Sequence, residues 1–275
     1  MKTGDVVLIT GCSSGIGQST SLFLARRGFR VYSTMRKISD DDPLLEARRR
    51  ENLSLEVLKL DVTDTKSVSD AVKKIMRETG RIDVLVNNAG FGMEGPVDKT
   101  SMDDIYSQFE VNFFGLVRVT KEVVPHMLRQ RTGRIVNISS GAGRISIPFN
   151  ASYCASKFAV EGFSETIDYE LRPHGVKVII IEPGVMKTKF FKKMKMVARP
   201  SVEPHYSIYY RKTQEAPKHG MPPEKVSEVI YKTIVSKRPK LRYTVGRDAW
   251  AGVFFRKILP ERFFRWGVRR RYLKE

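Results

Sequence analysis

Cysteine is scarce in this chain of 275 residues: there are two, Cys12 and Cys154. Both stand among small residues inside expected elements, so packing is the expected role, ahead of a disulfide or metal pair, and a reducing compartment fits. The four histidines, at positions 126, 174, 205 and 219, show neither HExxH nor any other metal-ligand spacing, and no metal is expected. Long apolar runs are missing too; nothing approaches the ~18 residues that a membrane-spanning helix needs. After Met-Lys-Thr-Gly-Asp the chain enters an apolar strand almost at once, so no signal peptide is expected and a cytoplasmic setting is. Low-complexity tracts, repeats and Gly/Ser linkers are absent, which favours one domain with a less regular C-terminal third.

Acidic residues are scarce in one region only. Residues 187–275 hold 24 Lys/Arg against 7 Asp/Glu, whereas residues 1–186 hold 25 against 23. The net charge of +19 therefore belongs almost wholly to the last third. A basic end of this kind suits nucleic acid, anionic lipid or an acidic partner.

What the chain does have is an alternation. VVLIT (6–10), RVYST (30–34), LEVLKL (55–60), DVLVNNAG (83–90), RIVNISS (134–140) and VKVIIIEPG (176–184) read as strands, several of them apolar enough to be buried on both faces. Helical patterns lie between them. One runs from Asp/Thr caps through Val68, Ala71, Val72, Ile75 and Met76 to Gly80, and a long one covers 102–130. EKVSEVIYKTIVSK (224–237) is a further amphipathic helix, and LRYTVG (241–246) a last strand. The expected class is α/β: a doubly wound, Rossmann-type, mostly parallel seven-stranded sheet with helices on both faces, in a single domain. Residues 1–247 form the catalytic unit, with basic, Pro-interrupted, mobile helical pieces over the site at about 187–222. Residues 248–275 form a basic, aromatic helical extension.

TGCSSGIG (10–17) places Gly11, Gly15 and Gly17 between a buried strand and a helix start. A dinucleotide pyrophosphate needs that sharp turn, close backbone approach and free N–H groups. The spacing GxxxGxG differs from the common GxGxxG, and glycines after a strand can also mark only a tight turn. At the end of the second strand an acid would favour NAD and a basic residue NADP. The sequence has Met35, then Arg36 and Lys37, so NADP is expected over NAD.

NASYCASKFAVEGF (150–163) places Tyr153 and Lys157 four apart, on one helix face. A free phenol, with a pKa of ~10, exchanges protons poorly at neutral pH, and a nearby ammonium stabilises the phenolate. Alone, the pair reads more readily as packing with a solvated amine. Ser140 at a strand's C-terminal end, NNAG (87–90) and Asn112 change that, because they fall at the same expected cofactor edge.

Together, TGCSSGIG, Asp61-Val62, NNAG, Asn112, Ser140, YCASK and EPGVMKT resemble the short-chain dehydrogenase/reductase family from residue 5 to about 247. The resemblance implies an NADP-dependent oxidoreductase. Tyr153 would exchange a proton with the substrate oxygen while Ser140 stabilises it. Lys157 would hold the nicotinamide ribose and depress the Tyr153 pKa, and Asn112 would support a water chain. Ser13, Ser14, Ile16, Asn88, Ala89 and Gly90 would join the glycines around the cofactor. Asp61 and Val62 would flank the adenine, and Pro183, Gly184, Val185 and Thr188 would meet the nicotinamide end. The GCSSGIG, STMR and YCASKFAVEGF segments are similar to hydroxysteroid and retinol dehydrogenases. That implies a hydrophobic alcohol or carbonyl substrate, with Phe149 and His219 as further contacts, and a homodimer or homotetramer.

DAWAGVFFRKILPERFFRWGVRRRYLKE (248–275) mixes aromatics with eight Arg or Lys. It reads as a capping helix on the domain or another subunit, as a peripheral membrane contact, or, with no recognisable motif for it, as a nucleic-acid contact. A catalytically silent nucleotide sensor using this basic end is the competing reading of the whole chain.

Overall fold

The inner strands of the main sheet form where β-branched and apolar residues run together, and helices cover both of its faces. The computed structural model describes residues 1–273. The strands are β1 (Val6–Ile9), β2 (Arg30–Met35), β3 (Leu55–Lys59), β4 (Val84–Asn87), β5 (Met93–Glu94), β6 (Gly133–Ile138), β7 (Val176–Pro183), β8 (Lys195–Met196) and β9 (Arg242–Val245). The helices are α1 (Gly15–Ala25), α2 (Pro43–Glu51), α3 (Thr65–Thr79), α4 (Met102–Phe109), α5 (Gly115–Gln130), α6 (Ala151–Leu171), α7 (Pro204–Glu215), α8 (Glu224–Val235), α9 (Arg247–Ile258) and α10 (Glu261–Leu273).

The main sheet has seven strands in the order β3-β2-β1-β4-β6-β7-β9. Every pairing in it is parallel, beyond the mostly parallel sheet expected. One face buries Val7, Ile9, Val31 and Ile179 against Leu24 of α1 and Val226 and Ile230 of α8. The other buries Val6, Leu8 and Ile135 against Val72 and Ile75 of α3 and Val119 and Val123 of α5. The order reverses between β1 and β4, and in such sheets the crevice outside the strands' C-terminal ends is where ligands bind.

Helix ends follow local chemistry. The Asp64 carboxylate accepts from the Lys66 and Ser67 amides at the start of α3, and Gly80, at φ +69°, ends it. The long helix expected over 102–130 is interrupted: residues 110–114 form a π-turn between α4 and α5. Gly115 after it packs so closely on Val62 that a Cβ there would stand 2.7 Å from the Val62 Cγ2. The extension is two helices, broken at Leu259–Pro260; its final two positions, 274 and 275, lie outside the described residues. No helix among the described residues is long and apolar enough to cross a membrane.

Candidate active site

The loop after β1 is shaped by what it touches. Gly11 has φ +71°, and a Cβ on it would stand 2.7 Å from the Ala89 Cα. A Cβ on Gly17 would meet the Gly11 carbonyl and the Asn88 amide nitrogen, both at 2.5 Å. Only glycine allows the loop to lie flat against the NNAG segment. Asn88 Nδ2 donates to the carbonyls of Thr10 and Gly11, both at 2.9 Å, and Thr10 Oγ1 accepts from the Asn88 amide at 3.0 Å and the Ala89 amide at 3.1 Å. The glycine loop is thereby fixed against the NNAG segment, and Gly15 and Ile16 at the start of α1 line the crevice beside it.

That crevice is one cavity of about 1180 Å³ running from the glycine loop to the segment 188–216 and the extension. Gly11, Ser13, Ser14, Gly15 and Ile16 line it, as do Asn88, Ala89 and Gly90. So do Asp61 and Val62 after β3, and Pro183, Gly184, Val185 and Thr188 after β7. Arg36 lines it at the end of β2. Two of the expected cofactor residues do not. Gly17 lies behind the loop, where its missing side chain permits the packing just described, and Lys37 is exposed and off the lining.

Ser140, Tyr153 and Lys157 line the middle of the cavity. Ser140 Oγ accepts from the Ala142 amide at 3.1 Å, which orients the hydroxyl. Lys157 is buried, and its Nζ donates to the Ile138 carbonyl at 2.8 Å. Burial pulls its amine down to about 8, against a smaller upward pull from Glu161 one turn on. Burial also pushes the Tyr153 phenol up to about 12, with the Ser140 hydroxyl drawing it partly back. The expected depression of Tyr153 by Lys157 is not found: the amine is 6.0 Å from the ring centroid and is spent on a main-chain carbonyl, so desolvation of the phenol wins.

Asn112 does not line the cavity. It is buried in the π-turn, where Oδ1 accepts from the Phe91 amide at 3.0 Å and Nδ2 donates to the Phe91 carbonyl at 3.0 Å and Ser156 Oγ at 3.2 Å. Its side chain is thus committed to positioning the chain after β4. The two expected substrate contacts are elsewhere. Phe149 packs on the rings of Tyr206 and Tyr209, and His219 is exposed; neither lines the cavity.

Three features had no counterpart in the sequence reading. Phe190 sets its ring 5.9 Å from that of Tyr153. Tyr209 on α7 lines the cavity and its hydroxyl accepts from Asn150 Nδ2 at 2.5 Å. Asp248 accepts from the Val185 amide at 2.7 Å, tying α9 to the loop after β7. The extension is therefore a wall: Gly252, Phe255, Leu259, Phe263, Phe264 and Tyr272 all line the cavity. Their spacing on α9 and α10 was visible, but only the packing of α10 on α7 shows which side faces inward.

The sequence pattern of the short chain dehydrogenase family matches residues 5–197. A 3-ketodihydrosphingosine reductase of Bacteroides thetaiotaomicron is 36% identical over 247 residues, covering 88% of this chain and 88% of that protein. The 17-beta-hydroxysteroid dehydrogenase type 1 of Homo sapiens is 38% identical over 252 residues, covering 86% of this chain and 76% of that protein. The crystal structure of a short-chain dehydrogenase from Streptomyces avermitilis superposes with a TM-score of 0.83 at 30% identity, covering 92% of each chain. The chain belongs to the short-chain dehydrogenase/reductase family, oxidoreductases that act on hydroxyl and carbonyl groups with a nicotinamide dinucleotide.

Proposed function

We propose that this protein is an NADP(H)-dependent oxidoreductase that interconverts a hydroxyl and a carbonyl on a hydrophobic, steroid-, retinoid- or lipid-like substrate. The observation that carries this reading is the single cavity joining the glycine loop, the Ser140–Tyr153–Lys157 group and an apolar chamber. The cradle fits a dinucleotide: Gly11 and Gly17 leave no room for side chains, and the N-terminal amides of α1 suit a pyrophosphate. Arg36, with no carboxylate at the end of β2, suits a ribose phosphate.

When bound, the nicotinamide supplies or accepts the hydride. In the reducing direction Tyr153 gives its phenolic proton to the substrate oxygen, and in the oxidising direction the phenolate takes it. Ser140, its oxygen fixed by the Ala142 amide, turns its O–H toward the charge developing on that oxygen. Lys157, buried beside Tyr153 in the cavity lining, holds the ribose side of the site. Asn112 acts as a positioning residue for this group, through Phe91 and Ser156.

The substrate chamber is apolar where it meets Tyr153. Ile145, Ile147, Phe190 and Met194 come from the core side and the segment over it, and Phe255 and Leu259 from α9 and its end. The names of the two curated relatives, one for a sphingoid ketone and one for a steroid, support an extended hydrophobic substrate.

The test is NADPH consumption against a panel of steroid, retinoid and long-chain ketones. Turnover that falls by about 10²–10⁴ in Tyr153→Phe supports the proposal. Cofactor binding without turnover on any member would favour the nucleotide-sensing reading.

A further inference from the structure

We propose that the outer face of α9 and α10 is a docking surface for an anionic lipid bilayer, and that it sets the mouth of the substrate cavity against the lipid. The first observation is exposure. Trp250, Ile258 and Trp266 are 57%, 53% and 56% exposed, and Phe254 is open beside them. Trp250, Phe254 and Ile258 follow one another at i, i+4 and i+8, so they form one stripe along α9. Trp250 and Phe254 stack with ring centroids 5.0 Å apart and planes 7° from parallel, presenting a flat apolar surface to solvent. A soluble globule rarely leaves such a contiguous patch uncovered unless something binds it.

The second observation is charge. α9 and α10 carry eight Arg or Lys and two acids, Asp248 and Glu261. Asp248 faces inward to the Val185 amide, which leaves Glu261 as the outward acid among the described residues of the two helices. The Arg270 guanidinium lies 5.2 Å from the Trp266 ring centroid and that of Arg262 lies 4.6 Å from the Phe263 centroid. Cations stationed beside exposed rings match an interface in which rings enter the headgroup layer and guanidiniums meet lipid phosphates. Nucleic acid would use the cations but not the tryptophan and isoleucine stripe.

The third observation is continuity. Phe255, Leu259 and Phe263 are each solvent-exposed and part of the cavity lining, so the apolar face continues into the chamber. A substrate that partitions into lipid would enter from the bilayer instead of from water. This last clause rests on the hydrophobic-substrate reading above; the docking itself does not.

The chain carries its own reporter, because its two tryptophans, Trp250 on α9 and Trp266 on α10, are both exposed. Full-length protein is mixed with vesicles of phosphatidylcholine alone or of equimolar phosphatidylcholine and phosphatidylserine, then sedimented and read by tryptophan fluorescence. The expected result is sedimentation with the phosphatidylserine vesicles and a blue shift, retained in both Trp250→Phe and Trp266→Phe. Arg262→Glu with Arg265→Glu, neither of which lines the cavity, should cut binding at least ~10-fold, since each reversal replaces attraction to the anionic surface with repulsion. Turnover of a water-soluble ketone should be unchanged in that variant. The proposal is overturned by any of three results: no sedimentation with phosphatidylserine vesicles, sedimentation without a blue shift, or a blue shift that grows with protein concentration in the absence of vesicles. The last would mean that a second copy covers the face. None of these three results is read through catalysis, so an inactive protein would not be mistaken for one that fails to dock.

Discussion

The Asp248 carboxylate accepts the Val185 amide hydrogen at 2.7 Å and occupies the space that a Cβ on Gly184 would enter. One residue of the C-terminal extension thereby holds the loop expected to meet the nicotinamide. Gly184→Ala should displace that carboxylate and destabilise the fold by about 1–3 kcal/mol, as overpacking does. Asp248→Ala should cost about 1.5–3 kcal/mol through the lost charged hydrogen bond. Because the two act on one contact, denaturant melts of the double variant should show less than the sum; strict additivity would disprove the coupling.

Lys157 makes a stability prediction with a defined sign. Its pKa falls from the ordinary 10.5 to about 8 on folding, so between those values the unfolded chain binds the extra proton. Stability attributable to this residue therefore rises with pH through that window, and the cost of burying a charge is fully present below it. Lys157→Met should gain roughly 3 kcal/mol on the wild type at neutral pH, apart from a constant packing offset. That gain should shrink to nothing as pH approaches 10.5. A difference that does not vary with pH would show that the amine is not desolvated.

Burial pushes the Tyr153 phenol up to about 12, so it keeps its proton across the neutral range. Ketone reduction should therefore show no loss from Tyr153 ionisation across the neutral range. Alcohol oxidation needs the phenolate and should climb by up to about tenfold per pH unit toward that pKa. An oxidation rate level from neutral to alkaline pH would mean that the bound cofactor has already brought the phenol down. Rate profiles in both directions on one substrate pair decide this.

Arg36 stands exposed at the end of β2 and lines the cofactor end of the cavity. Arg36→Asp should lower the preference for NADPH over NADH by about 10- to 100-fold, the loss of one charged hydrogen bond. Titrations with both cofactors measure it, and an unchanged ratio would remove Arg36 from the phosphate site. Lys37→Ala, off the lining, should leave the ratio alone.

Much of this was legible before folding was considered. VVLI at β1 and residues 178–181 of β7 are apolar on consecutive positions, which suits a sheet covered on both sides. TGCSSGIG and NNAG announce close approach by their small residues, and the structure presses Gly11 against Ala89. Phe149 and His219 were misplaced for a different reason. Both are near the site in sequence or in segment, but Phe149 is drawn into the Tyr206–Tyr209 aromatic cluster and His219 ends a short helix on the outside.

Along the chain alone, local patterning was enough to establish the strand–helix alternation, the glycine cradle and the pairing of Tyr153 with Lys157 on one helical turn. These depend on neighbours a few positions apart, where side-chain size and backbone freedom act directly. Tertiary structure alone decided where Lys157 spends its hydrogen bond, that Asn112 is consumed by Phe91 and Ser156, and that α9 and α10 wall the cavity. Those outcomes turn on desolvation and on contacts between residues far apart in sequence, such as Asp248 with Val185, and only the packed chain brings such groups within reach.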